Sequence, residues 1–246
     1  MKILFSPSEN KNIIKSGKTL CKENFLFENL FSLRMQVLQE YENFIKTANT
    51  QELETLFGLK DEKERQKFTT KLRKAPTQRA IELYNGISYE YLQFNSLEKM
   101  SQDYILQNVL IFSNLFGVVR ASDMLPCYKL KQGVKLGNFS IEKFYKNHFS
   151  KALDEFLMNE ELIDLRAGFY NKFYTPKKHF SSYKFIKNGK TVSHFSKAYR
   201  GVLLKTAAHF NITSNKELLS HLPANLRLKT IQNFGLKEEY IIEILN

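Results

Sequence analysis

Between positions 165 and 216 the chain holds no aspartate and no glutamate, although acids occupy 25 of its 246 positions. A bias toward lysine as the default soluble residue would not also remove the acids, so the gap asks for a physical reason. The same stretch carries Arg166, Lys172, Lys177, Lys178, Lys184, Lys187, Lys190, Lys197, Arg200, Lys205 and Lys216, which supply nearly all of the formal net charge of +12. Phe169, Tyr170, Phe173, Tyr174, Phe180, Tyr183, Phe185, Phe195, Tyr199 and Phe210 are interleaved with them. That much aromatic surface folds, so the charges belong to a folded element. A one-signed surface attracts polyanions, and Lys and Arg contacts to phosphates release counterions from nucleic acid. Nucleic acid is therefore the first-choice partner, and a merely solvated lysine-rich face is the competing reading.

Other scarcities narrow the class. Cys21 and Cys127 stand alone, with no CxxC pair and no spacing for disulfides or zinc, which fits a reducing compartment. No Pro-, Gly- or Ser-rich linker divides the chain, which is 43% hydrophobic, so a single domain over residues 1–246 is expected. Residues 1–8 hold too few apolar residues for a signal peptide, and no apolar run reaches the length of a membrane span. A cytoplasmic protein without membrane contact is expected, with no obligate protein partner evident. His148, His179, His194, His209 and His221 show neither H-x-x-x-H nor H-E-x-x-H spacing, so no metal site, no tight iron site and no cofactor is expected. Neither a G-x-S-x-G elbow nor a G-x-G-x-x-G turn is present. Ser16-Gly17-Lys18-Thr19 imitates the end of a P-loop, but the first glycine of that motif would fall at Asn12. Asp123 and Asp164 border apolar strand ends and could serve as base or ligand, or equally cap a turn or pair with a lysine. No catalytic motif emerges.

In chain order, residues 2–5 form an apolar strand that Pro7 closes, since proline lacks the N–H a continuing strand needs. Phe27, Leu30, Phe31, Leu38, Tyr41 and Ile45 recur at helical spacing, with Arg34 and Glu40 on the polar face. Residues 53–60 make an apolar turn stopped near Gly58, and Asp61 with Glu64 starts a second helix. The spacing within residues 42–74 resembles the helix-hairpin-helix of DNA-binding proteins, in which hairpin N–H groups hold a phosphate. Lys60 replaces its usual second glycine, and an ordinary Gly-capped helix turn explains the same residues. A basic helix is expected to end at Pro76, and one capped by Thr77 to stop at Gly86. Residues 109–112 read as a buried strand, residues 128–131 as a half-buried one and residues 162–165 as another buried one. Ser140 caps a helix whose apolar side holds Ile141, Phe144, Tyr145, Phe149 and Phe156. Asn188-Gly189 is a strong hairpin signal between residues 183–187 and 190–195. A helix capped by Ser196 follows, then a last pair of helices started by Ser214 with Glu217 and broken at Pro223 and Gly235. The expected fold is mixed α/β: a single domain with a small mixed sheet surrounded by helices, a late β-hairpin, a basic cleft and a candidate helix-hairpin-helix.

Four blocks carry a resemblance. Residues 3–11 read as a strand followed by a Ser-Pro-x-x-x-Lys-like loop, with Ser6, Pro7 and Lys11. Ala80-Ile81 through Tyr84, Gly86, Tyr89 and Leu92 form the second block. The third and longest is Leu115-Phe116-Gly117-Val118-Val119-Arg120 with Asp123, Pro126, Tyr128-Lys129-Leu130 and Gly133. Ser196-Lys197-Ala198-Tyr199-Arg200-Gly201 is the fourth. In this order and spacing they resemble the YaaA family of bacterial peroxide-stress-resistance proteins. Two departures stand out: Ala121 where a proline is usual, and Asp164-Leu165-Arg166-Ala167 where many relatives have Asn-Leu-Ala-Ser. The resemblance implies a single α/β domain with a basic cleft, association with DNA without sequence-specific readout, and protection of DNA from iron-dependent peroxide damage.

Charge and resemblance together point to double-stranded or branched DNA, met by Lys11, Gly58, Lys60, Arg120, Lys172, Lys177, Lys178, Lys184, Lys187, Lys190, Lys197 and Arg200. Lys11, Arg120, Lys197 and Arg200 are expected to approach one cleft. Ser6, Pro7, Gly86, Tyr89, Gly117, Asp123, Tyr128 and Gly201 are the family-motif residues. The alternative is an enzyme acting on a nucleotide or nucleic acid, with Ser6, Lys11, Arg120, Asp123, Lys197 and Arg200 around one phosphate-holding pocket. A third reading is an RNA binder.

Overall fold

A computed structural model describes residues 1–245, save the side chains of Ser193 and His194. Strands β1 (Lys2–Phe5) and β2 (Asn10–Lys11) are followed by helices α1 (Phe31–Thr47), α2 (Thr50–Phe57) and α3 (Glu62–Gln66). Next come β3 (Thr77–Arg79), α4 (Ala80–Leu83), β4 (Tyr84–Asn85), α5 (Ile87–Leu92) and α6 (Lys99–Asn108). Then β5 (Val109–Ser113), β6 (Gly117–Arg120), β7 (Met124–Pro126), α7 (Ile141–Leu157) and β8 (Leu162–Asp164) lead into the acid-free stretch. That stretch builds β9 (Phe180–Lys187), β10 (Lys190–Thr191) and α8 (Ser193–His209), and α9 (Asn215–Ser220), β11 (Leu226–Phe234) and β12 (Lys237–Ile244) complete the fold.

Among the described residues, eight strands form one sheet in the order β11-β12-β9-β8-β1-β5-β6, with β10 paired to β9. Strands β12, β9, β8, β1 and β5 run parallel, and antiparallel β11 and β6 close the two ends. Every residue of β5 and β8 is buried. Both faces are therefore covered, which is why these segments are continuous apolar runs rather than alternating ones. From β1 the chain moves to β5 on one side, then α7 returns it to β8 on the other. The direction of winding thus reverses between β1 and β8. In open α/β sheets the crevice outside the strands' carboxyl ends at such a point is where ligands bind.

The structure corrects several sequence expectations. Thr77 does not cap a helix; Thr77–Arg79 pair antiparallel with Met124–Pro126, a partner far along the chain. Gly86 precedes α5 rather than ending a helix. Residues 128–131 keep the predicted alternation, with Tyr128 and Leu130 buried, but lie outside any strand. Helix α8 begins before Ser196, whose hydroxyl donates back to Val192 O. The predicted last pair of helices is one helix, α9, and an antiparallel hairpin turned at Gly235. Arg34, assigned to the polar face of α1, is fully buried. Its guanidinium donates to the carbonyls of Leu26 (3.0 Å) and Phe116 and lies 4.8 Å from the centre of the Phe149 ring.

The α2–α3 joint has the form of a Gly-capped helix turn. Asn49 and Glu52 make a full capping box at the start of α2, Gly58 ends it at φ 65°, and Asp61 caps α3. The Gly58 N–H donates to Glu54 O. Arg65 folds over the joint, donating to Leu59 O and Lys60 O and pairing with Glu54 at 3.1 Å. The hydrogen bonds described for Gly58 and Arg65 are thus made inside the joint, and the Lys131 side chain lies against Gly58 from outside it. Among the described residues, no helix is long and apolar enough to cross a membrane.

Candidate functional site

The loop leaving β1 is pinned from three directions. Ser6 Oγ accepts from Ala167 N–H (2.8 Å), just past the end of β8, and the Tyr89 hydroxyl on α5 donates to Ser6 O (2.8 Å). Ser8 Oγ donates to Asn85 O at 2.6 Å, and a β-carbon on Gly86 would sit 2.6 Å from Ser8 Oγ, so Gly86 leaves the room the loop occupies. Lys11 braces the loop through its ammonium, which donates to Ser8 O (3.1 Å) and lies 3.9 Å from the centre of the Tyr128 ring. Burial brings its pKa down to about 7. The Tyr128 hydroxyl shares hydrogen bonds with Ser113 Oγ (2.7 Å) and the Tyr84 hydroxyl (3.0 Å).

Helix α8 reaches this loop because Gly201 lets it cross α5 at contact distance. A β-carbon there would stand 2.0 Å from Ser88 O, which nothing but glycine tolerates. Ser88 Oγ donates to Lys197 O at 2.8 Å and fixes the crossing. Lys197 and Arg200, three residues apart and hence on one side of the helix, thereby line a cavity of about 340 Å³ with Ser6, Pro7, Tyr89 and Tyr170. It lies at the carboxyl end of the β1–β8 crevice. Arg200 also borders a neighbouring cavity of about 520 Å³, together with Lys184, Asp164 and Arg166.

The charges around these cavities are unequally satisfied. Arg166 takes the Asp164 carboxylate in a bidentate pair (2.9 and 2.7 Å), donates to Tyr174 O and lies 4.2 Å from the centre of the Phe112 ring. Burial pushes the Arg200 guanidinium pKa down, with the Asp164 charge acting in the other direction. Among the described residues, neither Arg200 nor Lys197 has a hydrogen-bond or ion-pair partner for its side chain.

The predicted site residues divide accordingly. Lys197, Arg200, Ser6, Pro7, Gly86 and Tyr89 come together, while Lys11 does not line the cavity and reaches it through Ser8 O. Arg120 and Asp123 do not join them. Strand β6 is antiparallel to β5, and Arg120 pairs with Leu110 near the start of that strand, at the opposite end of the sheet from the crevice. There Asp123 accepts from Leu26 N–H (2.9 Å) and Arg120 N–H (3.0 Å), and burial pushes its carboxyl up to about 6. Gly117 packs on the Tyr145 ring. Gly58 and Lys60 stay in the α2–α3 joint. Lys172 lies 5.0 Å from the centre of the Phe169 ring, Lys177 pairs with Asp154 (3.4 Å), and Lys178 donates to the carbonyls of Leu157, Met158 and Glu160 at the end of α7. Lys184 and Lys190 are exposed, and Lys187 lies 5.7 Å from the centre of the Phe195 ring. Ala167, Tyr170 and Gln132 also line the first cavity. Sequence reading missed Ala167 and Tyr170 because only strand order sets β8 beside β1, and Gln132 because its loop is brought there by Glu9, which accepts from its N–H. Among the described residues no three His, Cys, Asp or Glu converge as a metal site, and the His194 side chain lies outside that set.

A family model described as "Peroxide stress protein YaaA" matches residues 1–230. The chain belongs to the YaaA family. An uncharacterized protein of Campylobacter jejuni is 62% identical over 246 residues, all of both chains. A UPF0246 protein of Corynebacterium glutamicum is 30% identical over 216 residues, 85% of each chain, and one of Fusobacterium nucleatum is 27% identical over 234 residues, 89% of this chain and 90% of that one. The YaaA resemblance carried by the four sequence blocks is family membership, and three of those blocks supply Ser6, Tyr89 and Gly201 to the cavity and its scaffold.

Proposed function

We propose that this YaaA-family chain serves the peroxide stress response as a DNA-binding protein, shielding DNA from iron-dependent peroxide damage through phosphate contacts without base readout. The observation that carries the reading is a group of cations left without acidic partners among the described residues: Lys184, Lys187 and Lys190 on the β9–β10 hairpin and Lys197 and Arg200 on α8. Hairpin and helix are locked side by side, with the Phe185 and Tyr199 rings stacked 5.4 Å apart. Such a group attracts the phosphate backbone of any sequence equally, since phosphate contacts carry no base information. The reducing cytoplasm suits Cys21 and Cys127, which are both free thiols.

Reversing Lys187 and Lys190 to glutamate tests the proposal. Unrelated duplexes should lose affinity about equally, and the slope of log affinity against log salt should flatten by about one unit for each phosphate that is no longer neutralised. The fold should survive, because both lysines flank an exposed turn. Thermal melts control for folding, and unchanged affinity and slope in a folded double variant would contradict the assignment.

A further inference from the structure

We propose that the cavity at the carboxyl end of the β1–β8 crevice binds a single nucleotide unit, a phosphate monoester carrying a planar aromatic body. At about 340 Å³ it has the size of small-ligand pockets and cannot admit a duplex. Its cationic part is Arg200 and Lys197, whose side chains have no hydrogen-bond or ion-pair partner among the described residues. Arg200 is half-buried, so its guanidinium has lost water without gaining an acid; the carboxylate whose charge reaches it, Asp164, is already held by Arg166 through two bonds. A desolvated, unpaired cation is unfavourable, and an entering anion relieves it. The planar fork of a guanidinium and the three donors of an ammonium suit the clustered oxygens of a phosphate.

The remaining lining has the chemistry of a base site. Tyr89 and Tyr170 border the cavity and are each held by their hydroxyls, Tyr89 on Ser6 O (2.8 Å) and Tyr170 on Asn114 Oδ1 (3.1 Å), so the rings are in place before a ligand arrives. Both rings are buried, 8% and 3% exposed, so they give the cavity a rigid apolar wall against which the planar body of a base can pack. The Gln132 side-chain amide makes no hydrogen bond among the described residues and offers a donor and an acceptor for a base edge. The acid on the lining, Glu9, accepts from Gln132 N–H at 3.0 Å. A nucleotide of this kind has two sources, a free mononucleotide or a strand end or extruded nucleotide of a nucleic acid. The site shares Lys197 and Arg200 with the surface proposed above for DNA but not the hairpin lysines, so the two proposals can fail separately.

Isothermal titration calorimetry of the full chain with the four nucleoside 5′-monophosphates, adenosine and inorganic phosphate tests the site. At least one monophosphate should bind saturably, about tenfold or more tighter than inorganic phosphate or adenosine. Arg200→Met and Lys197→Ala should each weaken it about tenfold, with melting curves as the folding control. The Lys187→Glu, Lys190→Glu variant should keep nucleotide affinity while losing duplex affinity. Displacement of the mononucleotide by a 5′-phosphorylated single strand, or by a duplex with one unpaired nucleotide, assigns the site to nucleic acid; failure of both to displace it assigns the site to a free nucleotide. Absence of saturable binding at millimolar concentration, equal affinity for inorganic phosphate, or unchanged affinity in the folded variants would overturn the proposal.

Discussion

Residues 166–178 and residues 184–200 are alike in composition, each rich in Lys, Arg and aromatic rings and each without an acid. In the first segment Arg166 is bound to Asp164, Lys177 to Asp154, and Lys178 to three carbonyls at the end of α7. In the second, the structure gives Lys184, Lys190, Lys197 and Arg200 no acid within ion-pair distance among the described residues. The first segment follows β8 and lies against α7, whose Asp154 and last carbonyls meet it; the second rises on a hairpin and on α8 at the carboxyl edge of the sheet. Net charge in a stretch of sequence is therefore not net charge at a surface, because the partners that consume it come from other elements.

The largest expected effect lies in the first segment. Arg166→Met leaves the Asp164 carboxylate buried without its cation, and removing one member of a buried pair destabilises by about 3–5 kcal/mol. Urea denaturation measures it, and a loss below about 1 kcal/mol would erase the distinction between the segments.

Asp123 sharpens the contrast as a buried acid without a bonded cation among the described residues. Burial raises its carboxyl pKa from the ordinary 3.8 to about 6. The folded state then holds the proton more tightly than the unfolded state, so stability rises as pH falls from about 6 toward 4 and is lost as pH climbs back through that window. The change should be roughly 2–3 kcal/mol at about 1.4 kcal/mol per unit. Melting against pH should show it in the native chain and not in Asp123→Asn. A smaller effect belongs to Lys178→Met, which removes a cation from the end of α7 and should cost about 1 kcal/mol in the same denaturation assay. No change there would make Lys178 a surface charge like Lys190.

Local signals were legible in the sequence and long-range pairings were not. Asn188 and Gly189 both adopt positive φ (50° and 75°), as a two-residue hairpin turn of this type requires, and the dipeptide alone announces it. Ser140 caps α7 by accepting from Lys143 N–H, again a local event. Thr77–Arg79 and Leu226–Phe234 read as helical because their partners, β7 and β12, supply the reason for extension, and β12 is placed in turn by β9. Arg34 read as exposed because the carbonyls of Leu26 and Phe116 that satisfy it come from loops. For the site, the family blocks gave Ser6, Tyr89, Lys197, Arg200 and Gly201. They also suggested Arg120, which the antiparallel direction of β6 carries to the other end of the sheet.

The most direct test compares the two segments on one readout, the salt dependence of duplex binding. Lys177→Gln with Lys178→Gln is set against Lys187→Gln with Lys190→Gln, each variant titrated at several salt concentrations. The hairpin pair should flatten the slope by about two units and weaken binding to unrelated duplexes alike, while the Lys177 and Lys178 pair leaves the slope unchanged. Equal flattening by both pairs, or by the first alone, would contradict the assignment of the DNA surface to the hairpin and α8.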